Sequence, residues 1–303
     1  MKTTDQTTPI TPYLMPAIVI LGSFLFSSKG ILVKMMYAEG LDPSAVLALR
    51  MSVALPFYLT SAILMRRSLR KISAKDWLAI SGLALIGYFL CSLVNFIGLQ
   101  FISVGLERVV LFCYPSLVLL GSAVFQKRRP SLTLISACGL SWVGLYLVIQ
   151  HEIQITDHTT QILLGSALVL LSAIIYASYI LIAKQLIMRV GSQRYTSVVM
   201  CFSCLVVLLY FGITDGNIPS LLASKKAMTY GVIIGIFGTV VPTYILSFGL
   251  SKISADSYAV LSSAGPVATI ALSLAIVGQI PSGMQCAGIT LSVAGCLLAS
   301  RRQ

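Results

Sequence analysis

Apolar positions along this 303-residue chain fall into long, nearly unbroken runs separated by short polar stretches. Neither the alternation of a half-buried strand nor the narrow apolar stripe of a soluble helix describes them. A membrane-crossing helix needs about 20 apolar residues, at ~1.5 Å of rise each, to span the hydrocarbon. Ten runs meet that length: 14–37, 44–65, 77–99, 104–125, 131–150, 162–184, 195–213, 227–249, 255–276 and 282–300. The pattern predicts an all-α polytopic membrane protein of ten transmembrane helices, with no soluble domain between them. The first run is too long for a signal-peptide core and has no small-residue cleavage pattern, so it is read as a retained span.

Composition fixes lipid as the solvent. Hydrophobic residues make up 57% of the chain and charged residues 10%, against about 25% charged in a soluble domain. Mean hydropathy is +0.94. The formal charge of +12 suggests nucleic acid in a soluble protein, but here the basic residues cluster in short loops, where they act as orientation signals. With the N-terminus inside, the cytoplasmic loops and tails hold Arg66, Arg67, Arg70, Lys71, Lys75, Lys127, Arg128, Arg129, Lys184, Arg189, Arg194, Lys252, Lys2, Arg301 and Arg302. The outer loops hold only Lys225 and Lys226, and carry Glu39, Asp42, Glu152, Asp157 and Asp215. Both termini are therefore expected in the cytoplasm, and a bacterial inner membrane is the expected location.

The chain also repeats itself. At a shift of 151 residues Gly98 meets Gly249, Ile102 meets Ile253, Ser103 meets Ser254, Pro115 meets Pro266, Pro130 meets Pro281 and Gly144 meets Gly295. At a shift of 150, Ser28 meets Ser178, Lys34 meets Lys184 and Phe26 meets Tyr176. Prolines and glycines holding register mark a duplicated unit. The two repeats run over 14–150 and 162–300 with five spans each, and an odd number of spans forces the second copy to enter the membrane inverted. The loops agree: QKRRP (126–130) carries three positive charges and its counterpart VGQIP (277–281) none. Two inverted five-helix repeats are a transporter architecture, with the substrate site near the midplane and alternating access around it.

The opening residues add a resemblance. FSSKGILVK (26–34), LDP (41–43) and ALR (48–50) resemble the start of the drug/metabolite transporter superfamily, EamA-like family, which reads Trp-Gly-Ser, a Lys six residues after the Ser, a Pro loop and Ala-x-Arg. Ser28, Lys34 and Arg50 match, while Phe26 stands for Trp and Ser27 for Gly. YASYILIAK (176–184) resembles the start of the second copy. The resemblance implies a carrier of amino acids or other metabolites and leaves the direction open, since the family includes exporters and importers. Tyr114 and Gly265 stand where that family often has a Glu before the proline, and Gln126 and Gln279 replace a later Glu.

A charge within the hydrocarbon costs at least about 2.5–3.5 kcal/mol and should face a cavity or a partner. Lys29, Lys34, Arg50, Glu107 and Arg108 lie within spans. Lys29 is too deep to snorkel and Arg50 is two turns in, so both are candidate cavity residues. Lys34, Glu107 and Arg108 are candidates for gating or ion pairing, with Arg50–Glu107 the pair we expect; Lys34 and Arg108 can alternatively snorkel to the surface. Tyr88, Ser92 and Asn95 share one helical face. Gly235, Thr239, Thr243 and Ser247 recur every four residues, a pattern that close helix packing also produces. Tyr88, Asn95, Tyr114, Tyr179, Thr239, Thr243, Tyr244 and Tyr258 complete the expected cavity, and Trp142 is read as deep as well. Pro115, Pro242 and Pro266 free backbone groups that protein or cavity water must satisfy.

The seven cysteines all lie in apolar runs and read as small buried residues, so no metal or cofactor is expected. No His or Asp lies deep in a span, which leaves a membrane enzyme without a nucleophile-base pair. A channel or a non-transporting scaffold remains an alternative class. The reading is a secondary transporter that exports an amino acid or related carboxylate-bearing solute. A multidrug or cation efflux protein is the alternative, and it would want a deep carboxylate. Expected partners are the small-molecule substrate and lipid, without nucleic acid, in a monomer or homodimer.

Overall fold

The computed structural model describes residues 14–127, 132–155, 158–216 and 224–262, with scattered positions beyond. Every regular element among them is helical. Seven helices among the described residues are long and apolar enough to cross a membrane: α1 (Leu14–Ala38), α2 (Pro43–Leu64), α3 (Ala74–Phe101), α4 (Val104–Phe125), α6 (Thr159–Val190), α7 (Ser192–Thr214) and α8 (Lys225–Lys252). A further 24-residue helix, α5 (Leu132–Ile155), lies between α4 and α6, and α9 begins at Ala255–Leu261. The chain is thus a polytopic membrane protein. Pro266, Thr269, Ser273 and Gln279 lie outside the described residues.

Helix ends follow local chemistry. Asp42 accepts a 2.7 Å hydrogen bond from the Ala45 amide and caps α2, with Pro43 supplying the fixed φ that suits a first helical position. Ser73 caps α3, Ser103 caps α4 and Ser254 caps α9. Observed helices run longer than the apolar runs: α3 begins at Ala74 rather than 77, and α6 continues to Val190 rather than ending at 184. Helical propensity carries a span beyond the hydrocarbon where polar residues follow it.

Small residues set the packing, because helices in lipid gain from close backbone approach rather than from apolar burial. A Cβ on Gly98 would lie 2.8 Å from Val169 of α6, and a Cβ on Gly249 would lie 2.5 Å from Val19 of α1. These two contacts match under the sequence offsets of 151 and 150. Helix irregularities match too. A π-turn covers Ala84–Leu90 in α3 and another covers Ile236–Val240 in α8. Ile102 (φ −127°, ψ 162°) and Ile253 (φ −121°, ψ 166°) hold the same extended backbone just before the two serine caps.

Large apolar side chains such as Leu64, Leu78, Val124 and Ile213 are exposed, as a lipid-facing surface requires. Trp142 is 37% exposed on that surface. Its side chain therefore lies on the outward face of α5, not among the residues that line the cavity described next.

Candidate functional site

Three interrupted helices build a cavity of about 720 Å³. In α1 the helix breaks at Ser28, whose hydroxyl donates to the Leu25 carbonyl at 2.7 Å. That local bond competes with the helical ladder and sets Lys29 at the start of the next segment. In α3 the π-turn shifts the helical register by one residue and brings Tyr88, Cys91, Ser92 and Asn95 to the cavity wall. In α4 the helix stops after Leu111 and restarts at Tyr114. Pro115 has no amide hydrogen to give to the Leu111 carbonyl four residues back, and beyond the break the Cys113 carbonyl accepts from the Leu117 amide at 3.2 Å and from the Ser116 hydroxyl at 2.7 Å.

The polar groups divide into paired and unpaired. Arg108 Nε lies 2.8 Å from Glu107 Oε2, with the side chains 4% and 0% exposed. Glu107 Oε1 accepts from Asn95 Nδ2 at 3.0 Å. The pair is seated on the backbone of α1: a Cβ at Gly30 would come within 2.8 Å of Arg108 Nη2 and 3.5 Å of Glu107 Oε2. Lys29 is only 6% exposed. Its ammonium sits 3.9 Å from the centroid of the Phe26 ring and makes no hydrogen bond or ion pair among the described residues. Buried atoms of the cavity residues without a hydrogen-bond partner include the donor Arg108 Nη2, the acceptor Asn95 Oδ1 and the hydroxyls of Ser23 and Ser262. Such groups are costly to leave unpaired, so the cavity presents both donors and acceptors to whatever enters.

Aromatic rings close the rest. Tyr114 and Tyr176 meet edge-on with centroids 5.1 Å apart, and Phe26 stacks on Tyr176 at 6.4 Å. Phe26, Tyr88, Tyr176 and Tyr258 also border a second cavity of about 380 Å³, which continues past Tyr179 and Thr243 to Leu250. The four rings therefore stand between a compartment that holds Lys29, Asn95 and Arg108 and one lined by tyrosines, Thr243, Ser247 and aliphatic side chains.

The structure brings Lys29, Tyr88, Asn95, Tyr114, Tyr258 and Arg108 together around the larger cavity, and places Tyr179 and Thr243 on the smaller one. Arg50, Thr239, Tyr244 and Lys34 line neither. Arg50 is buried behind the wall, where its Nη2 donates to Ser92 Oγ at 3.3 Å and its guanidinium lies 5.1 Å from the Phe96 centroid. The Arg50–Glu107 pair expected above is thus corrected: the adjacent Arg108 reaches Glu107 first, and Arg50 takes a hydroxyl and a ring. Thr239 donates to the Ile234 carbonyl within α8, and Tyr244 shares a 2.8 Å hydrogen bond with Ser197, which ties α8 to α7. Sequence reading missed Ser23, Ser27, Cys91 and Ser172 on the wall, because small residues on an apolar face look the same whether they pack or line a cavity. Tyr176 was marked only as the partner of Phe26 in the repeat, and that match was the available signal.

A multi-pass helical membrane protein whose spans enclose a cavity with Lys29, Asn95 and Arg108 on its wall has the form of a membrane transporter. Comparison with known proteins agrees. The family model described as the EamA-like transporter family matches residues 14–150 and 163–301. The chain is 28% identical over 287 residues to a Bacillus subtilis (strain 168) protein described as the uncharacterized transporter YcbK, covering 91% of this chain and 90% of the relative. It is 20% identical over 282 residues to an uncharacterized transporter of Archaeoglobus fulgidus, covering 93% of both. A solved crystal structure superposes with a TM-score of 0.71 at 16% identity, over 96% of this chain and 98% of the other, which shows a shared fold. The chain belongs to the EamA-like transporter family.

Proposed function

We propose that this protein is a secondary transporter that exports an amino acid or a related carboxylate-bearing solute by alternating access, binding it in the larger cavity. Its ten spans form two inverted repeats, 14–150 and 162–300, with both termini in the cytoplasm of a bacterial cell. Matched π-turns, matched serine caps and the paired Gly98–Val169 and Gly249–Val19 contacts support the repeat. The loop charges support its orientation.

The observation that carries the substrate reading is the unpartnered ammonium of Lys29 in the same cavity as the unpartnered carbonyl of Asn95. A carboxylate answers the first and an ammonium the second, and the tyrosines accept an apolar remainder. Lys29, Arg50 and Arg108 outnumber Glu107, whose carboxylate is already held by Arg108 and Asn95. Positive excess in a low-dielectric space favours an anionic group and opposes a lone cation.

The test is counterflow in proteoliposomes, with zwitterionic amino acids, organic acids and quaternary-ammonium drugs compared side by side. Carboxylate-bearing solutes should exchange and should lose affinity in Lys29→Gln. Preferential exchange of the drugs, indifferent to Lys29→Gln, refutes the reading in favour of cation efflux. Flux that does not saturate refutes a carrier in favour of a channel.

A further inference from the structure

Lys184 crosses from α6 to the end of α8. Its ammonium donates to the carbonyls of Leu250 at 2.7 Å, Ile253 at 2.8 Å and Ser251 at 3.4 Å. Those are carbonyls that a helix end leaves without partners, and a cation there also answers the negative end of the helix dipole. The bond fixes the corner between α8 and α9. It also closes one end of the smaller cavity, because Leu250 lies on that cavity's wall.

Lys34 holds the corresponding place in the sequence of the first repeat, and the corner that corresponds to the one Lys184 holds has the same construction. Leu99, Gln100 and Ile102 correspond to Leu250, Ser251 and Ile253. Ile102 and Ile253 share their backbone angles, and Ser103 and Ser254 cap the next helix in the same way. Yet Lys34 is partly exposed and makes no hydrogen bond among the described residues. Nearby, Tyr37 donates to the Phe96 carbonyl at 2.7 Å. Two corresponding lysines thus go with two corners of like construction, and among the described residues Lys184 is engaged and Lys34 is not.

We propose that Lys184 and Lys34 are the positioning residues of the transport cycle, each latching one corner in one state. With Lys184 engaged the cytoplasmic end is closed, and the structure is the outward-facing state. In the inward-facing state Lys184 releases α8, and Lys34 takes the carbonyls of Leu99, Gln100 and Ile102. The inference rests on the inverted-repeat reading above. Two repeats of opposite orientation exchange conformations when the open side changes, so a contact present in one copy should form in the other.

Cys91 on the wall of the larger cavity is a native reporter. In a background with the other cysteines replaced by Ser, its conversion to a mixed disulfide by a membrane-impermeant methanethiosulfonate, which releases methanesulfinate, is timed from each face of proteoliposomes. The wild type should react from the outer face. Lys184→Gln should raise the inner-face rate and lower the outer-face rate, on the order of tenfold for loss of one latch. Lys184→Arg, which keeps a donor, should restore the wild-type ratio. Lys34→Gln should move the ratio the opposite way, further toward the outer face. Lys34 is partly exposed, so this variant is expected to fold even if Lys184→Gln does not. Shifts of the same sign, or an unchanged ratio in Lys34→Gln, overturn the proposal. Cysteines at Gln126 and Gln279 labelled from the same face would instead refute the inverted repeat itself, a distinct result.

Discussion

Glu107→Gln removes the charge that holds Arg108 in the protein interior while keeping the side chain's size and its acceptor for Asn95. Both members of the pair are almost wholly buried, 4% and 0% exposed at a separation of 2.8 Å. A buried pair contributes little net stability, since desolvation offsets attraction, but breaking it from one side costs about 3–5 kcal/mol because a lone charge stays behind. Arg108 Nη2 already lacks a partner and cannot swing into water without displacing α1 at Gly30. Glu107→Gln alone, and Arg108→Gln alone, should each lower the melting temperature of the purified protein, by on the order of 10 °C at 2–4 °C per kcal/mol. The double variant buries no charge and should recover most of the loss, a strong coupling between the sites. Thermal unfolding in detergent, scored by a buried-cysteine reporter dye, measures all four proteins. If the double variant loses the sum of the two single losses, the pair is not what holds these groups, and the account of the site is wrong.

Lys29→Gln should weaken binding of a carboxylate-bearing solute by about ten- to a hundredfold, the range of a hydrogen bond to a charged group, with the melting temperature nearly unchanged; isothermal titration and thermal unfolding separate the two. Gly30→Ala should drive the Arg108–Glu107 pair off its seat and cost transport even though alanine is the better helix former; counterflow in proteoliposomes reads it. Tyr58→Phe should destabilise by about 1 kcal/mol, because it leaves Thr243, now bonded to the Tyr58 hydroxyl at 2.5 Å, with only its carbonyl partners. Trp142→Leu should leave both transport and stability within about 0.5 kcal/mol of wild type, as expected of a lipid-facing site.

Much of the architecture was legible in the sequence because length and hydropathy answer directly to bilayer thickness. The glycines and prolines that kept register through the repeat proved to be places where helices touch or break, as at Gly98, Gly249 and Pro115. Direction within a helix was harder. Periodicity showed that Tyr88, Ser92 and Asn95 share a face, and that face does line the cavity. The same periodicity grouped Thr239 with Thr243, yet Thr239 lies in the π-turn Ile236–Val240 and bonds back to Ile234 while Thr243 borders the smaller cavity, and no sequence signal announces a π-turn. Trp142 shows the same limit, since depth along the normal says nothing about which side of a helix meets lipid, and its side chain is exposed. The partner of Glu107 was misjudged because a pairing between spans was expected, whereas the neighbour along the chain was already within reach.

The two π-turns carry one more consequence. A π-turn contains one residue more than the α-turn it replaces, so α3 and α8 each store a residue of slack at the same depth. Passing that surplus one step along the helix exchanges hydrogen bonds one at a time, while everything between the old and new position swivels by about 100°, one residue's share of an α-turn. Tyr88 lies within one such turn and Thr243 just beyond the other. A travelling kink of this kind re-aims side chains on the cavity wall without unfolding a span or tilting it, and the Thr239 hydroxyl, already bonded five residues back at Ile234, marks where it rests in α8.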